Sequence, residues 1–168
     1  MKTLTEQEFR KIEKRYPYFK GRWGYFEEVI RMIEKIKPEK VLEIGAVGCR
    51  LVEGSKVLDI KNNYEGVKYD VDYLLDVTKD LDQVKERFDL IICLQVLEHL
   101  GNSQQKVFSE MLAKTDNLII SLPYLWADKR DMSHYGITDE TIRRWTCDKV
   151  PKEEVVVGEN KKRKIIRF

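Results

Sequence analysis

Phe88-Asp89-Leu90-Ile91-Ile92-Cys93-Leu94-Gln95-Val96-Leu97-Glu98-His99-Leu100 is the stretch from which the fold is read. Its apolar block, Leu90–Leu94, has no polar alternation and the length of a strand buried on both faces of a parallel sheet. The polar residues arrive abruptly at the carboxyl end, which is where open α/β sheets bind their ligands. Gln95, Glu98 and His99 are therefore site candidates. Their i, i+3, i+4 spacing places them on one face if a helical turn starts at Gln95.

The flanking sequence fits such a sheet. Short apolar runs punctuated by acids recur at 41–44 (VLEI), 57–60 (VLDI), 72–77 (DYLLDV), 117–122 (NLIISL), 153–157 (EEVVV) and 164–168 (KIIRF). Helical stretches around 79–87, 101–114 and 138–146 separate several of them, the last with Thr138 as N-cap and Asp139 and Glu140 placed for the helix dipole. Strands alternating with helices predict βαβ units. The last two runs differ. Only Gly158–Arg163 joins them, too short for a crossover, so they are expected to pair as an antiparallel hairpin.

Upstream, Thr5-Glu6-Gln7-Glu8 reads as a capping box, with Phe9, Ile12 and Tyr16 following at helical spacing. Pro17 should end that helix at Tyr16. Tyr18, Phe19, Trp23, Tyr25 and Phe26 crowd around Gly21 and Gly24, and a second helix carries Phe26, Val29, Ile30, Ile33 and Ile36 on one face as far as Pro38. The expectation is one domain, residues 1–168. It comprises an α/β core over 39–168, a doubly wound and mostly parallel seven-stranded sheet, under an N-terminal helical cap over 1–38. The cap's aromatics either pack against the sheet or cover a ligand.

Across 168 residues, 31 Lys and Arg nearly balance 29 Asp and Glu, a formal charge of +2. That argues against a protein built mainly to neutralise phosphates. Cys49, Cys93 and Cys147, odd in number and in no C-x-x-C pairing, predict a reduced chain without a disulfide frame or a cysteine zinc site. No apolar run approaches the ~20 residues that span a bilayer, and the first residues lack a signal-peptide core. The expected protein is soluble and cytoplasmic, with no membrane partner.

Glu43-Ile44-Gly45-Ala46-Val47-Gly48 is a strand entering a glycine turn, whose backbone N–H groups can approach a ligand closely. Only Ala46–Lys56 separates this turn from the next strand, so any first crossover helix must be very short or irregular. Asp59 ends that strand. An acid about 20 residues past the glycine turn can accept hydrogen bonds from ribose hydroxyls, although a solvated strand-end aspartate is the plainer alternative. Asp76 ends the following run, while Asp70 and Asp72 read as turn residues.

The order of these features, over roughly Glu39–Pro123, resembles the class I S-adenosylmethionine-dependent methyltransferases. The opening stretch is similar to the fourth-strand motif of small-molecule members, often FDxVxxxxVLEH. Glu43–Gly48 is similar to E/D-x-G-x-G-x-G, but Val47 and Cys49 stand at the later glycine positions and Gly48 is out of register. The resemblance implies a Rossmann-like fold binding S-adenosylmethionine and its product S-adenosylhomocysteine. Glu43, Gly45, Ala46, Val47 and Gly48 would approach the methionine portion, Asp59 and Ile60 the ribose, and Asp76 and Val77 the adenine, with Leu94 and Gln95 completing the site. A dinucleotide dehydrogenase would share the glycine turn and Asp59 but would not be expected to carry VLEH.

Some O-methyltransferases carry Glu-x-x-Glu-His after the fourth strand and bind a divalent ion. Here Gln95 replaces the first Glu and removes an anionic ligand. No metal is expected, and if one binds, Glu98, His99 and His134 are its ligands. Ser133–Thr138 resembles a His-containing segment after the fifth strand in many relatives. The Asn/Asp-Pro-Pro-aromatic motif of amino-directed nucleic-acid methyltransferases is missing after strand four. The expected acceptor is a hydroxyl-bearing metabolite or sugar rather than a nucleic acid. His134 and, secondarily, His99 are the expected proton acceptors, and Tyr124, Trp126 and Tyr135 stand on the substrate side. An imidazole suits that work because its ordinary pKa is near ~6.5.

Two other classes stay open: a non-catalytic partner or regulatory subunit that keeps the fold, and an RNA methyltransferase using the basic run Lys161-Lys162-Arg163-Lys164. The sequence carries no signal of oligomeric state.

Overall fold

A computed structural model describes residues 1–130, 132–159 and 161–168. Asn160, within the expected 158–163 connection, lies outside the described residues, as does Asp131. In chain order the helices are α1 (Glu6–Arg15), α2 (Trp23–Ile36), α3 (Gln104–Leu112) and α4 (Asp139–Trp145). The strands are β1 (Val41–Ile44), β2 (Lys56–Asp59), β3 (Asn63–Tyr64), β4 (Val67–Lys68), β5 (Tyr73–Leu74), β6 (Leu90–Leu94), β7 (Leu118–Pro123), β8 (Glu153–Val157) and β9 (Arg163–Arg167).

Seven strands form one sheet in the order β5-β2-β1-β6-β7-β9-β8. β5 through β7 pair in parallel, while β9 runs antiparallel between β7 and β8. The expected hairpin is thus present, with its second strand inserted beside β7. β6 lies at the centre, and Leu90 to Cys93 are each at most 2% exposed. Alternation divides the strand between two cores. Leu90 and Ile92 join Phe9, Phe26, Val29 and Ile33 on one face, whereas Ile91 and Cys93 join Val107, Phe108, Met111 and Ile142 on the other. Each aliphatic side chain buried this way contributes about 1.5–3 kcal/mol, so the sheet is held from both sides.

The N-terminal helices form as their caps dictate. The Thr5 side chain accepts from the Glu8 backbone and the Glu8 carboxylate accepts from the Thr5 N–H at 2.9 Å. α2 buries Tyr25, Phe26, Val29, Met32 and Ile33, then stops at Lys37 in a left-handed conformation just before Pro38. Phe9, Phe19, Trp23 and Phe26 make an aromatic cluster with centroid separations from 5.3 to 6.4 Å.

Several expected elements come out shorter. No helix forms between β1 and β2. The buried Glu43 carboxylate organises that crossover instead, accepting from the backbone N–H of Leu51 (2.9 Å) and Val52 (3.0 Å) and from Ser55 Oγ (2.7 Å). The 72–77 run pairs only at Tyr73–Leu74, because Asp72 turns its side chain onto the Val57 N–H and Asp76 folds back onto Thr78. The 79–87 helix reduces to a 3-10 turn over Leu81–Gln83, since Asp76 and Asp80 side chains compete for the backbone that would start it. A small hairpin, β3–β4, was missed. Its signal is Glu65-Gly66, both with positive φ as a two-residue hairpin turn requires. Among the described residues, no helix is long and apolar enough to cross a membrane.

Candidate functional site

The carboxyl ends of the parallel strands open into a cleft of about 530 Å³. Gly45, Val47, Asp59, Ile60, Asp76, Val77, Gln95, His99, Trp126 and His134 line it, so ten of the residues singled out in the sequence share one cavity. Glu43, Ala46, Gly48, Leu94, Tyr124 and Tyr135 lie off it. Glu43 is committed to the β1–β2 crossover, and Ala46 and Leu94 border a small void beneath the turn. Gly48 faces a separate groove with Tyr16 and Tyr69. The Tyr124 hydroxyl donates to Asp139 at 3.0 Å, and Tyr135 stands exposed.

The glycine turn is tight at one position. Gly45 has φ +71°, its N–H donates to the Leu58 carbonyl at 2.9 Å, and a Cβ there would sit 2.5 Å from Val96 Cγ2. Val47, at a glycine position of the motif, keeps the left-handed conformation with φ +49°. For a β-branched residue that backbone is strained, at a cost of order 1–3 kcal/mol. Val47 thus holds a conformation that glycine would adopt without that cost.

One end of the cleft is acidic. Asp59 is 6% exposed. Its carboxylate accepts from Tyr69 Oη at 3.2 Å and from the Lys61 N–H at 3.4 Å, leaving acceptor capacity over. Asp76 is more fully engaged. The Thr78 hydroxyl donates to Oδ1 at 2.7 Å and Lys79 Nζ lies 2.9 Å from Oδ2, which together with the Thr78 N–H hold its pKa down at about 2.

The other end gathers histidines, an indole and guanidinium groups. Gln95 does not start a helical turn. It takes φ +55°, donates its amide to Ser121 Oγ at 3.1 Å and accepts from Arg163 Nε at 3.3 Å, and the 3-10 turn begins only at Leu97. That turn buries Glu98 and presents His99 to the cleft. After β7, a bridge between Trp126 and Tyr135 closes a loop that sets His134 against the Trp126 ring, centroids 5.1 Å apart. His134 Nε2 comes to 3.3 Å from His99 Nε2 and 3.8 Å from Glu98 Oε1. One atom from each of Glu98, His99 and His134 falls within 4.8 Å of the others. Two facing imidazole nitrogens at this distance share either a proton or a cation.

Tyr18, one of the cap aromatics expected either to pack or to cover a ligand, lines the cleft; the sequence reading missed Arg22 from the cap, Tyr64 from the small hairpin and Arg163 from β9. Arg163 was legible in principle. Once β9 is laid beside β7, the pairing of Arg163 with Pro123 places it at the carboxyl end of the sheet.

No family model matches the sequence, and no curated protein sequence matches it. Solved structures do. An S-adenosylmethionine-dependent methyltransferase from Clostridium acetobutylicum superposes with a TM-score of 0.64 at 10% identity, covering 96% of this chain and 97% of that one. The plantazolicin methyltransferase BpumL in complex with SAH gives 0.62 at 11% identity, covering 96% and 90%. The methyltransferase domain of bacterial CtHen1 gives 0.61 at 14% identity, covering 86% and 96%. At such identities the likeness is one of fold. The chain has the Rossmann-like methyltransferase fold: a seven-stranded, mostly parallel sheet with the antiparallel insertion of β9.

Proposed function

We propose that this chain is an S-adenosylmethionine-dependent methyltransferase of the small-molecule, VLEH-bearing kind. Its methyl acceptor is a hydroxyl-bearing metabolite or sugar. The observation that carries the reading is the convergence of the glycine turn, Asp59 and Asp76 with His99, Trp126 and His134 in one cleft. About 530 Å³ is within the ~300–1,000 Å³ usual for small-ligand sites. The residues present fit the cofactor: Asp59 lines the cleft and keeps acceptor capacity beyond its bonds from Tyr69 and Lys61, and Gly45, whose bareness the packing of Val96 requires, lines the same cleft.

In this reading Asp59 accepts from ribose hydroxyls, the Asp76–Val77 segment borders the adenine, and the backbone of Gly45 to Val47 approaches the methionine portion. When bound, S-adenosylmethionine supplies an electrophilic methyl group. The chain's own work is to align the acceptor in line with it, where positioning supplies much of the acceleration. His134 takes the acceptor's hydroxyl proton on Nε2 as general base once the acceptor hydroxyl replaces His99 Nε2, 3.3 Å away, as that nitrogen's partner, and becomes an imidazolium. Neither histidine needs a metal for this.

A second reading is favoured by the Glu98, His99 and His134 cluster, whose carboxylate and two imidazoles suit a divalent cation. Gln95 is held on Ser121 and Arg163, apart from that set. Transfer of labelled methyl to a panel of hydroxylated aromatic acids and sugars, with chelator and then with added magnesium, manganese or zinc, separates the readings. Turnover unaffected by chelator and lost in His134→Ala supports the histidine base. Turnover abolished by chelator and restored by one ion supports the metal. Cofactor binding without transfer to any acceptor supports a non-catalytic subunit.

A further inference from the structure

Arg163 enters the cleft from the first residue of β9, half-buried between two aromatic rings. Its guanidinium carbon is 4.9 Å from the Tyr25 centroid and 5.5 Å from that of Trp126. Nε donates to Gln95 Oε1 at 3.3 Å and Nη1 reaches the Lys161 carbonyl at 3.5 Å, which leaves donors over. Among the described residues no carboxylate lies within ion-pair distance of it, although most other half-buried cations here have one: Arg31, for example, pairs with Glu28 at 2.8 Å and Glu153 at 2.7 Å.

A second cation faces the same space. Arg22, at the start of α2, stacks 3.8 Å from the Tyr18 centroid and lines the same wall. Burial, followed among the lowering influences by the charge of Arg22, depresses the Arg163 pKa below its usual value, while Tyr25, Tyr18 and Glu98 raise it. Both guanidiniums stay charged, because arginine does not deprotonate in proteins. A cation carried into a low-dielectric wall beside a like charge costs free energy unless something anionic completes it.

We infer that Arg163, with Arg22, is an anion-binding subsite of the cleft, and that the methyl acceptor carries a carboxylate or phosphate which the Arg163 guanidinium holds. This rests on the methyltransferase reading and names the substrate class within it. Position assigns the anion to the acceptor. Asp76 follows β5 and Gly45 follows β1, whereas Arg163 opens β9, three strands beyond β1 on the opposite side of the sheet's centre. Trp126 touches both Arg163 and His134, so a molecule held at the guanidinium lies against the histidines that would take its proton. Planar guanidinium donors in a fixed fork match carboxylate and phosphate geometry.

The test is calorimetric titration of the full chain, wild type and Arg163→Met, with S-adenosylhomocysteine, and then of each protein, free and S-adenosylhomocysteine-loaded, with inorganic phosphate and with benzoate. Arg163→Met keeps the stacked aliphatic bulk, and Arg163→Lys and Arg22→Met serve as companions should it fold poorly by circular dichroism. The expected result is phosphate or benzoate binding to wild type that falls at least tenfold in Arg163→Met, with partial recovery in Arg163→Lys and unchanged S-adenosylhomocysteine affinity. Two results overturn the inference: neither anion binds wild type, or Arg163→Met weakens S-adenosylhomocysteine and leaves the anions alone, which assigns the guanidinium to the cofactor's own carboxylate. If S-adenosylhomocysteine fails to bind wild type, the methyltransferase reading falls separately, and phosphate binding to the free protein still decides the anion site.

Discussion

The acidic end of the cleft takes Gly45, Asp59 and Asp76 from the carboxyl ends of three neighbouring strand segments. The opposite end takes Arg22 from the start of α2, His99 from the turn after β6, Trp126 and His134 from the loop after β7, and Arg163 from β9. The first end is local: each residue follows its own strand, and parallel pairing alone lines them up. The second is topological. Arg163 reaches it only because β9 inserts between β7 and β8, and His134 meets Trp126 beside the Trp126–Tyr135 bridge. A site divided in this way should respond differently to damage in the two places.

The largest effect should come from the strand that builds the topological end. Deleting 161–168 removes Ile165, Ile166 and Phe168, each at most 4% exposed, and strips β7 of its antiparallel partner and β8 of its pairing strand. Three such side chains represent about 5–9 kcal/mol, comparable with the whole stability of many domains. The truncated chain should lose its cooperative thermal transition. A truncated chain that melts cooperatively at the wild-type temperature would show that β9 decorates the cleft rather than building it.

Damage to the local end should be smaller. Gly45→Ala forces a side chain into a φ of +71° and against Val96. Left-handed strain and overpacking together predict a loss of about 2–4 kcal/mol, read as a lower urea midpoint, with cofactor affinity falling alongside. Unchanged urea midpoint and affinity would mean that the turn is not the tight element described.

The smallest effect is a pH dependence at Asp76. Its folded pKa, about 2 against an ordinary 3.8, is depressed, so its contribution is present above about pH 4 and is lost as pH falls toward about 2. Asp76→Asn should lower the urea midpoint slightly near neutrality and converge with wild type as pH falls toward about 2, which flattens the acid slope. An unaltered acid slope would remove the Thr78 and Lys79 contacts from the account.

The same division explains what the sequence revealed. β1, β6, β7 and the β8–β9 hairpin were legible because unbroken apolar runs and a connection too short for a crossover leave little alternative. The 72–77 and 79–87 elements were not, because aspartates at 72, 76 and 80 bond the backbone locally and defeat the periodic pattern. Asp59 and Asp76 could be chosen from strand ends. Arg163 stands in the sequence only as part of the basic run 161–164, and its place in the cleft becomes legible only once β9 is paired with β7. The motif position of Glu43 implies a ligand contact, which the structure does not give it. Its bonds to Leu51, Val52 and Ser55 stand in for the helix that the short crossover cannot hold.

The central claim is that the cleft binds S-adenosylmethionine with the ribose at Asp59. The most direct measurement is isothermal titration of S-adenosylhomocysteine into the wild-type chain and Asp59→Ala, with circular dichroism confirming that both are folded. Charge-assisted hydrogen bonds are worth ~1.5–3 kcal/mol, so the account predicts one site per chain in wild type and an affinity about tenfold or more weaker in Asp59→Ala. A folded wild-type chain that takes up no S-adenosylhomocysteine, or an Asp59→Ala variant that binds it as tightly as wild type, would contradict it.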